Sequence, residues 1–127
     1  MNPRLYIVVR EDIADLNPGK MAAQTAHAQA DFDAHVETQY LDDQFQSAHI
    51  AWCETRNFGV TLVLSTTLDK IKEIKQRIAH SDYVVDPTYP WRNWYGKTFV
   101  TNEITCLWAF VWTEQDIDYL RQWPLHQ

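Results

Sequence analysis

The run Leu5-Tyr6-Ile7-Val8-Val9 constrains this chain most. It is apolar at every position and rich in β-branched residues. A strand with one wet face would alternate, so this one is buried on both faces and lies inside a sheet covered by helices. A polar connection from Arg10 follows, ending in Asn17-Pro18-Gly19, a turn and helix-start signal. Residues 19 to about 37 then read as a long, Ala-rich helix. At 100° per residue, Met21, Ala28, Phe32 and Val36 share one side. Ala23, Ala26, Ala30 and Ala34 share another, small enough to lie close to a sheet or a second helix. Between them runs a narrow polar stripe, Lys20, Gln24, His27 and Asp31, aligned by its i, i+4, i+7, i+11 spacing.

The remaining elements follow the same logic. Tyr40 to about Thr55 carries Leu41, Phe45, Ala48 and Trp52 at helical spacing and is broken by Asn57 or Gly59. Val60–Leu64 is a second strand. Thr66 or Thr67 caps a third helix with Leu68, Ile71, Ile74 and Ile78 inward and Lys70, Lys72, Lys75 and Arg77 mostly outward. Tyr83-Val84-Val85 is a short third strand ending at Asp86. Residues 87–102 read as a long irregular connection, of the kind that is often functional. Ile104–Val111 is a fourth strand, and Thr113-Glu114-Gln115-Asp116 resembles a capping box opening a last helix. The order β-α-α-β-α-β-β-α implies a small mixed four-stranded sheet with helices on both faces. The two strands before the last helix have no helix between them, so one is expected to run antiparallel. With 127 residues, 46% of them hydrophobic, and no repeat or linker, residues 1–127 read as a single domain.

Charge and cysteine usage narrow the function. The net charge of −6 is uneven: residues 11–55 hold nine acids and one base, whereas residues 67–105 hold six bases and five acids. An acidic whole argues against broad nonspecific nucleic-acid binding but leaves room for a local basic patch. No apolar run approaches the ~20 residues of a membrane span, and no secretory signal is visible. Cys53 and Cys106 lie in apolar contexts and read as reduced, buried thiols, with no zinc-ligand spacing. These features lead to the expectation of a cytoplasmic protein without membrane partners.

Several positions can carry chemistry. Lys20 stands in the first turn of a helix that follows a buried strand, where ligands of α/β sheets usually bind. Its ammonium suits a phosphate or a developing negative charge, against a plain reading as a solvated lysine. Gln24 and His27 lie one and two turns further. His27 fits a general base, a hydrogen-bond donor or a stacking partner, against a helix-face histidine paired with Asp31. Asp86 ends a buried strand, to accept hydrogen bonds or orient water, or simply to cap the turn at Pro87. Thr105 is polar within an apolar strand, and Cys106 alternates to the opposite face if that strand is regular. Nothing marks the Cys106 thiol as activated, so pairing it with His27 as a cysteine hydrolase is a poor reading. Trp91, Trp94 and Tyr95 with Arg92 and Lys97 form an aromatic-basic cluster suited to unpaired bases and phosphates, or a loop pinned over the core edge by its own Trp residues.

The residues also carry a resemblance. Leu5-Tyr6-Ile7-Val8-Val9-Arg10-Glu11-Asp12, followed by Gly19-Lys20-Met21-Ala22-Ala23-Gln24-Thr25-Ala26-His27-Ala28, resembles the opening of the type 2 peptidyl-tRNA hydrolase family, which pairs Val-Arg-x-Asp-Leu with Gly-Lys-x-Ala-Ala-Gln-x-x-His-Ala. The resemblance implies hydrolysis of the ester joining a peptide to the 3′ end of tRNA, with no metal or organic cofactor. It places the family's lysine on Lys20, its aspartate on Asp86 and its strand threonine on Thr105, with Gln24 and His27 beside them. Lys20 would then bind phosphate or stabilise the oxyanion, Asp86 position or deprotonate water, and Thr105 hold the water or the ester. Asp86, His27 and a water held by both stand as alternatives for the general base. The chain departs from the pattern after Asp86, where Pro87-Thr88 replaces Ala-Gly; Thr88 is the candidate for the family's second threonine. Gln24, Thr88, Trp91, Arg92, Trp94 and Lys97 are expected on the substrate side. A second reading keeps the fold and makes it a non-catalytic RNA- or protein-binding module with a remodelled Trp-rich loop. A third makes residues 91–95 an aromatic patch for partner capture, and a homodimer is compatible with either.

Overall fold

A computed structural model describes residues 2–13, 17–39, 41–55, 59–92 and 98–125; for Thr88, residues 90–92 and residues 98–101 it describes the backbone alone. The elements are β1 (Arg4–Arg10), α1 (Pro18–Thr38), α2 (Asp43–Glu54), β2 (Thr61–Thr66), α3 (Leu68–Arg77), β3 (Ser81–Arg92), β4 (Thr98–Val111) and α4 (Glu114–Leu120). The sheet order is β2-β1-β4-β3. β1 pairs parallel with β2, and β4 runs antiparallel to both β1 and β3. The expected mixed α/β sheet and its element order are thus observed.

Alternation within the buried strands divides the core in two. Leu5, Ile7 and Val9 join Cys106, Trp108 and Phe110 beneath α1 and α2, around Phe32, Phe45 and Trp52. Tyr6 and Val8 join Leu107, Ala109 and Val111 beneath α3 and α4, with Ile71, Ile74, Ile78, Ile117 and Leu120. β1 is buried from Leu5 onward because helices cover both faces. Phe32 is the hinge of the first layer, its ring 5.2–5.6 Å from those of Trp52, Trp108 and Phe110. Such pairs stabilise beyond their buried area.

The helix starts have local causes. Asn17 caps α1 by accepting from the Lys20 N–H, with Pro18 in the first turn. Asp42 caps α2 through the Phe45 N–H, so this helix begins later than Tyr40. Thr113 caps α4 through the Asp116 N–H at 3.2 Å. Thr67 makes no side-chain cap on α3; the Leu68 N–H is instead taken by Asp12 Oδ2 at 3.3 Å.

Four expectations are corrected. Residues 87–92 and 98–102 are not irregular: β3 runs on to Arg92, β4 starts at Thr98, and the two pair antiparallel as far as Arg92↔Thr98, as the arms of one long hairpin. Its prolines are tolerated because β3 is the edge strand, where a missing N–H costs little. Second, the alanine face of α1 is not its packing face: Ala23, Ala26, Ala30 and Ala34 are exposed, and Gln24, Ala28 and Phe32 are the buried residues that face the sheet. Third, Cys53 is exposed on α2, with His49 Nε2 3.6 Å from its sulfur. Fourth, Thr105 and Cys106 do not point to opposite faces. β3 pairs Val84 with Cys106 and then Val85 with Ile104, leaving Thr105 as the extra residue of a β-bulge. Both side chains therefore turn to α1, Thr105 to the Gln24 side chain and Cys106 to the Gln24 carbonyl.

Candidate active site

The parallel strands β1 and β2 deliver their carboxyl ends to one edge of the sheet, and β3 runs in the same direction. α1 starts at that edge and lays its polar stripe across β3 and β4. Gln24 is the contact between helix and sheet, 4% exposed on a helix whose neighbouring turns are largely solvated. Its Nε2 donates to Asp86 Oδ2 at 2.8 Å. Its Oε1 accepts from Thr105 Oγ1 at 2.5 Å. The amide is used at both ends, so its orientation is set: the NH2 faces the carboxylate and the oxygen faces the hydroxyl. Three of the residues singled out from the sequence are thereby joined in one chain, Asp86–Gln24–Thr105.

Asp86 owes its place to two irregularities. The bulge at Thr105 shifts the β3–β4 register by one residue before Asp86, which then sits opposite Glu103. A second shift, between Asp86 and Tyr89, adds a residue on β3 at Pro87-Thr88 and restores the original register. Bulges re-aim side chains and often flank active sites. Asp86 lies between them, half-buried, and lines an open groove of about 420 Å3 with His27, Asp31, Ala30, Val84, Val85 and Pro87. His27 thus shares a groove with Asp86 on its exposed helix face. Asp31, one turn on, has its carboxyl raised by burial and by Asp82 against the pull of His27 and His35.

Lys20 occupies the first turn of α1, where the helix dipole disfavours a cation and favours an anion. Its Nζ lies 5.8 Å from the centroid of the Tyr89 ring, which is 1% exposed on the hairpin arm. Tyr89 was not singled out from the sequence, although its place in the segment after Asp86 was a signal. Arg10 and Glu103 were also missed as partners of this site. Arg10 was legible as a charge ending an apolar strand; it is 6% exposed and donates to Asp12, Glu103 and the Ile104 carbonyl. Burial alone would raise the Asp12 carboxyl, but the Arg10 guanidinium and the Leu68 N–H hold it below the usual carboxylate range.

The residues expected on the substrate side divide differently. Thr88, Trp91 and Arg92 have their backbone on β3 within the arm. Trp94 and Lys97 lie outside the described residues. Cys106 is beside the site but chemically quiet. Burial, only partly opposed by Thr105, pushes its thiol up to about 12. Among the described residues, no three His, Cys, Asp or Glu side chains are grouped to hold a metal ion, and no helix is long and apolar enough to cross a membrane.

No curated protein matches the chain. The model of one family, Peptidyl-tRNA hydrolase PTH2, matches residues 4–121. That span runs from the first residue of β1 to just past α4 and includes Lys20, Gln24, His27, Asp86 and Thr105. The chain belongs to the peptidyl-tRNA hydrolase PTH2 family.

Proposed function

We propose that this protein hydrolyses the ester between a peptide and the 3′ end of tRNA, releasing free tRNA and peptide, and that the chemistry is carried by Asp86, Gln24, Thr105, Lys20 and His27. The observation that carries the reading is the hydrogen-bonded chain Asp86–Gln24–Thr105, which ends at Asp86 in the lining of a groove, in a member of this family.

The division of labour follows from position. Asp86 reaches the groove and accepts the proton of a water that attacks the ester carbonyl. Gln24, buried, fixes the direction of that carboxylate by donating to one of its oxygens. Thr105 is 3% exposed and donates to Gln24, so it acts through the amide by locking its orientation. Lys20, at the positive end of α1, stabilises the oxyanion or holds the terminal phosphate of the tRNA. His27 lines the same groove and donates to the substrate or relays the proton to the leaving ribose hydroxyl. An ester is an activated bond, so aligned water and modest charge stabilisation suffice. Trp91, Arg92, Trp94, Lys97 and Thr88 are of the residue types that stack on unpaired bases or hold phosphates, and we assign them to the unpaired 3′ end.

The alternative is a module on the same fold that binds RNA or protein without cleaving; the remodelled segment after Asp86 favours it. Incubation of the purified protein with N-acetyl-aminoacyl-tRNA separates the two. Release of free tRNA supports the hydrolase. Salt-sensitive binding without turnover at high protein concentration supports the module.

A further inference from the structure

The bulge at Thr105 leaves a gap in the sheet. β1 pairs with β4 from Arg4↔Val111 to Val9↔Cys106 and stops there. The next residue of β1 is Arg10, and the position facing it on β4 is the bulged Thr105. Sheet pairing therefore does not fix this stretch of β4 from the β1 side. A side chain does so instead. Arg10 Nη1 donates to the Ile104 carbonyl at 3.0 Å and to Glu103 Oε1 at 2.5 Å, on the two residues just before the bulge. Nε of the same guanidinium donates to Asp12 Oδ1 at 3.0 Å. Asp12 is held in turn by the Leu68 N–H at the start of α3. The two clamped residues also carry the β3 partners Val85 and Asp86.

We propose that Arg10 is a positioning residue, whose guanidinium clamps the bulged segment Glu103–Thr105 so that the Thr105 hydroxyl and the Asp86 carboxylate both meet the Gln24 side chain. The kinetic consequence rests on the hydrolase reading above; the geometric one does not. A purely structural ion pair would not need this placement. A buried ion pair contributes little net stability compared with apolar residues of similar volume, so stability alone does not account for it. What the guanidinium adds is a rigid planar fork that reaches a carbonyl and two carboxylates at once, which a lysine ammonium cannot reproduce.

The test is a double-mutant cycle with a spectroscopic readout. Arg10→Lys keeps the charge and removes the fork. It is expected to lower kcat by about tenfold or more with KM little changed. In a Thr105→Val background it is expected to cost less than about threefold further, because the group it positions is gone. In the NMR spectrum the Gln24 side-chain NH2 signals of Arg10→Lys should move toward those of Thr105→Val. Glu103→Gln, at a partly exposed position, reads the same coupling if Arg10→Lys does not fold. Multiplicative rate losses with unmoved Gln24 signals would overturn the proposal. If the parent protein shows no turnover, the hydrolase reading fails on its own, and the Gln24 signals alone decide the clamp: movement upholds it and constancy rejects it.

Discussion

Gln24 and Asp86, 62 residues apart in sequence, are joined by one hydrogen bond of 2.8 Å from the Gln24 amide nitrogen to a carboxylate oxygen. This is the contact through which helix α1 sets the direction of the acidic group in the groove. Gln24→Met keeps the length of the side chain and removes both its hydrogen bonds. Turnover of N-acetyl-aminoacyl-tRNA is expected to fall roughly 100-fold, of the order seen on removing one fixed polar group from an active site. KM should change little. Unchanged kcat would mean that Asp86 needs no orientation from α1.

The two cysteines give a chemical check on the fold. Cys53 is exposed on α2, whereas Cys106 is buried with its thiol pushed up to about 12. Alkylation by iodoacetamide at pH 8, followed by peptide mass spectrometry, should modify Cys53 in the native protein and Cys106 only after denaturation. Equal labelling rates would contradict the placement of Cys106 against α1.

Gly59 tests the entry to β2. Its φ of +78° is a conformation side chains resist, and an added Cβ would come within 2.2 Å of Trp52 Cε2. The Trp52 indole cannot retreat freely, because its N–H donates to the Val60 carbonyl at 2.8 Å. Gly59→Ala should therefore cost about 1–2 kcal/mol for the left-handed backbone, with overpacking of about 1–3 kcal/mol added. Urea denaturation reads the loss as a lower midpoint. A change under about 0.5 kcal/mol, the usual range of a neutral surface substitution, would contradict the geometry.

Stability should also fall on mild acidification. Burial among aromatic rings lowers the pKa of His49 and His80 below the ordinary histidine value. His80 lies 4.7 Å from the Phe45 ring and 5.3 Å from that of Trp112. The unfolded chain then binds protons more readily than the folded one. The contribution is full above the unfolded pKa of about 6.5 and is lost as pH falls below it. Tm measured at pH 7.5 and pH 5.5 should drop, and the drop should be smaller in His80→Phe. A Tm independent of pH over this range would contradict the burial of both imidazoles.

Much of this architecture is legible in the sequence because it rests on local signals. The run Leu5–Val9 announces a covered strand, Asn17-Pro18-Gly19 announces α1, and Lys20, Gln24 and His27 fall on one stripe. The alanine face misled because Ala favours a helix whether or not it is buried. The hairpin was hidden by Pro87 and Pro90, which read as breakers without knowledge that β3 would be the sheet edge. The bulge was hidden for a different reason. A strand covered on both faces, such as Leu107–Val111 and its approach, has no hydrophobic alternation to betray a one-residue slip. Only the register with β3 reveals that Thr105 and Cys106 turn to the same side. The site was thus readable as a set of residues but not as a chain of bonds, since Gln24 and Thr105 meet only through that slip.

In the proposed mechanism Asp86, directed by Gln24, activates the water that cleaves the ester. The most direct measurement is the single-turnover rate of tRNA release from N-acetyl-aminoacyl-tRNA, for the parent protein and for Asp86→Asn and Lys20→Ala at saturating enzyme. Measurable release by the parent is expected, with a loss of about 100-fold or more in each variant and folding unchanged by circular dichroism. Release that persists in Asp86→Asn at the parental rate would contradict that mechanism.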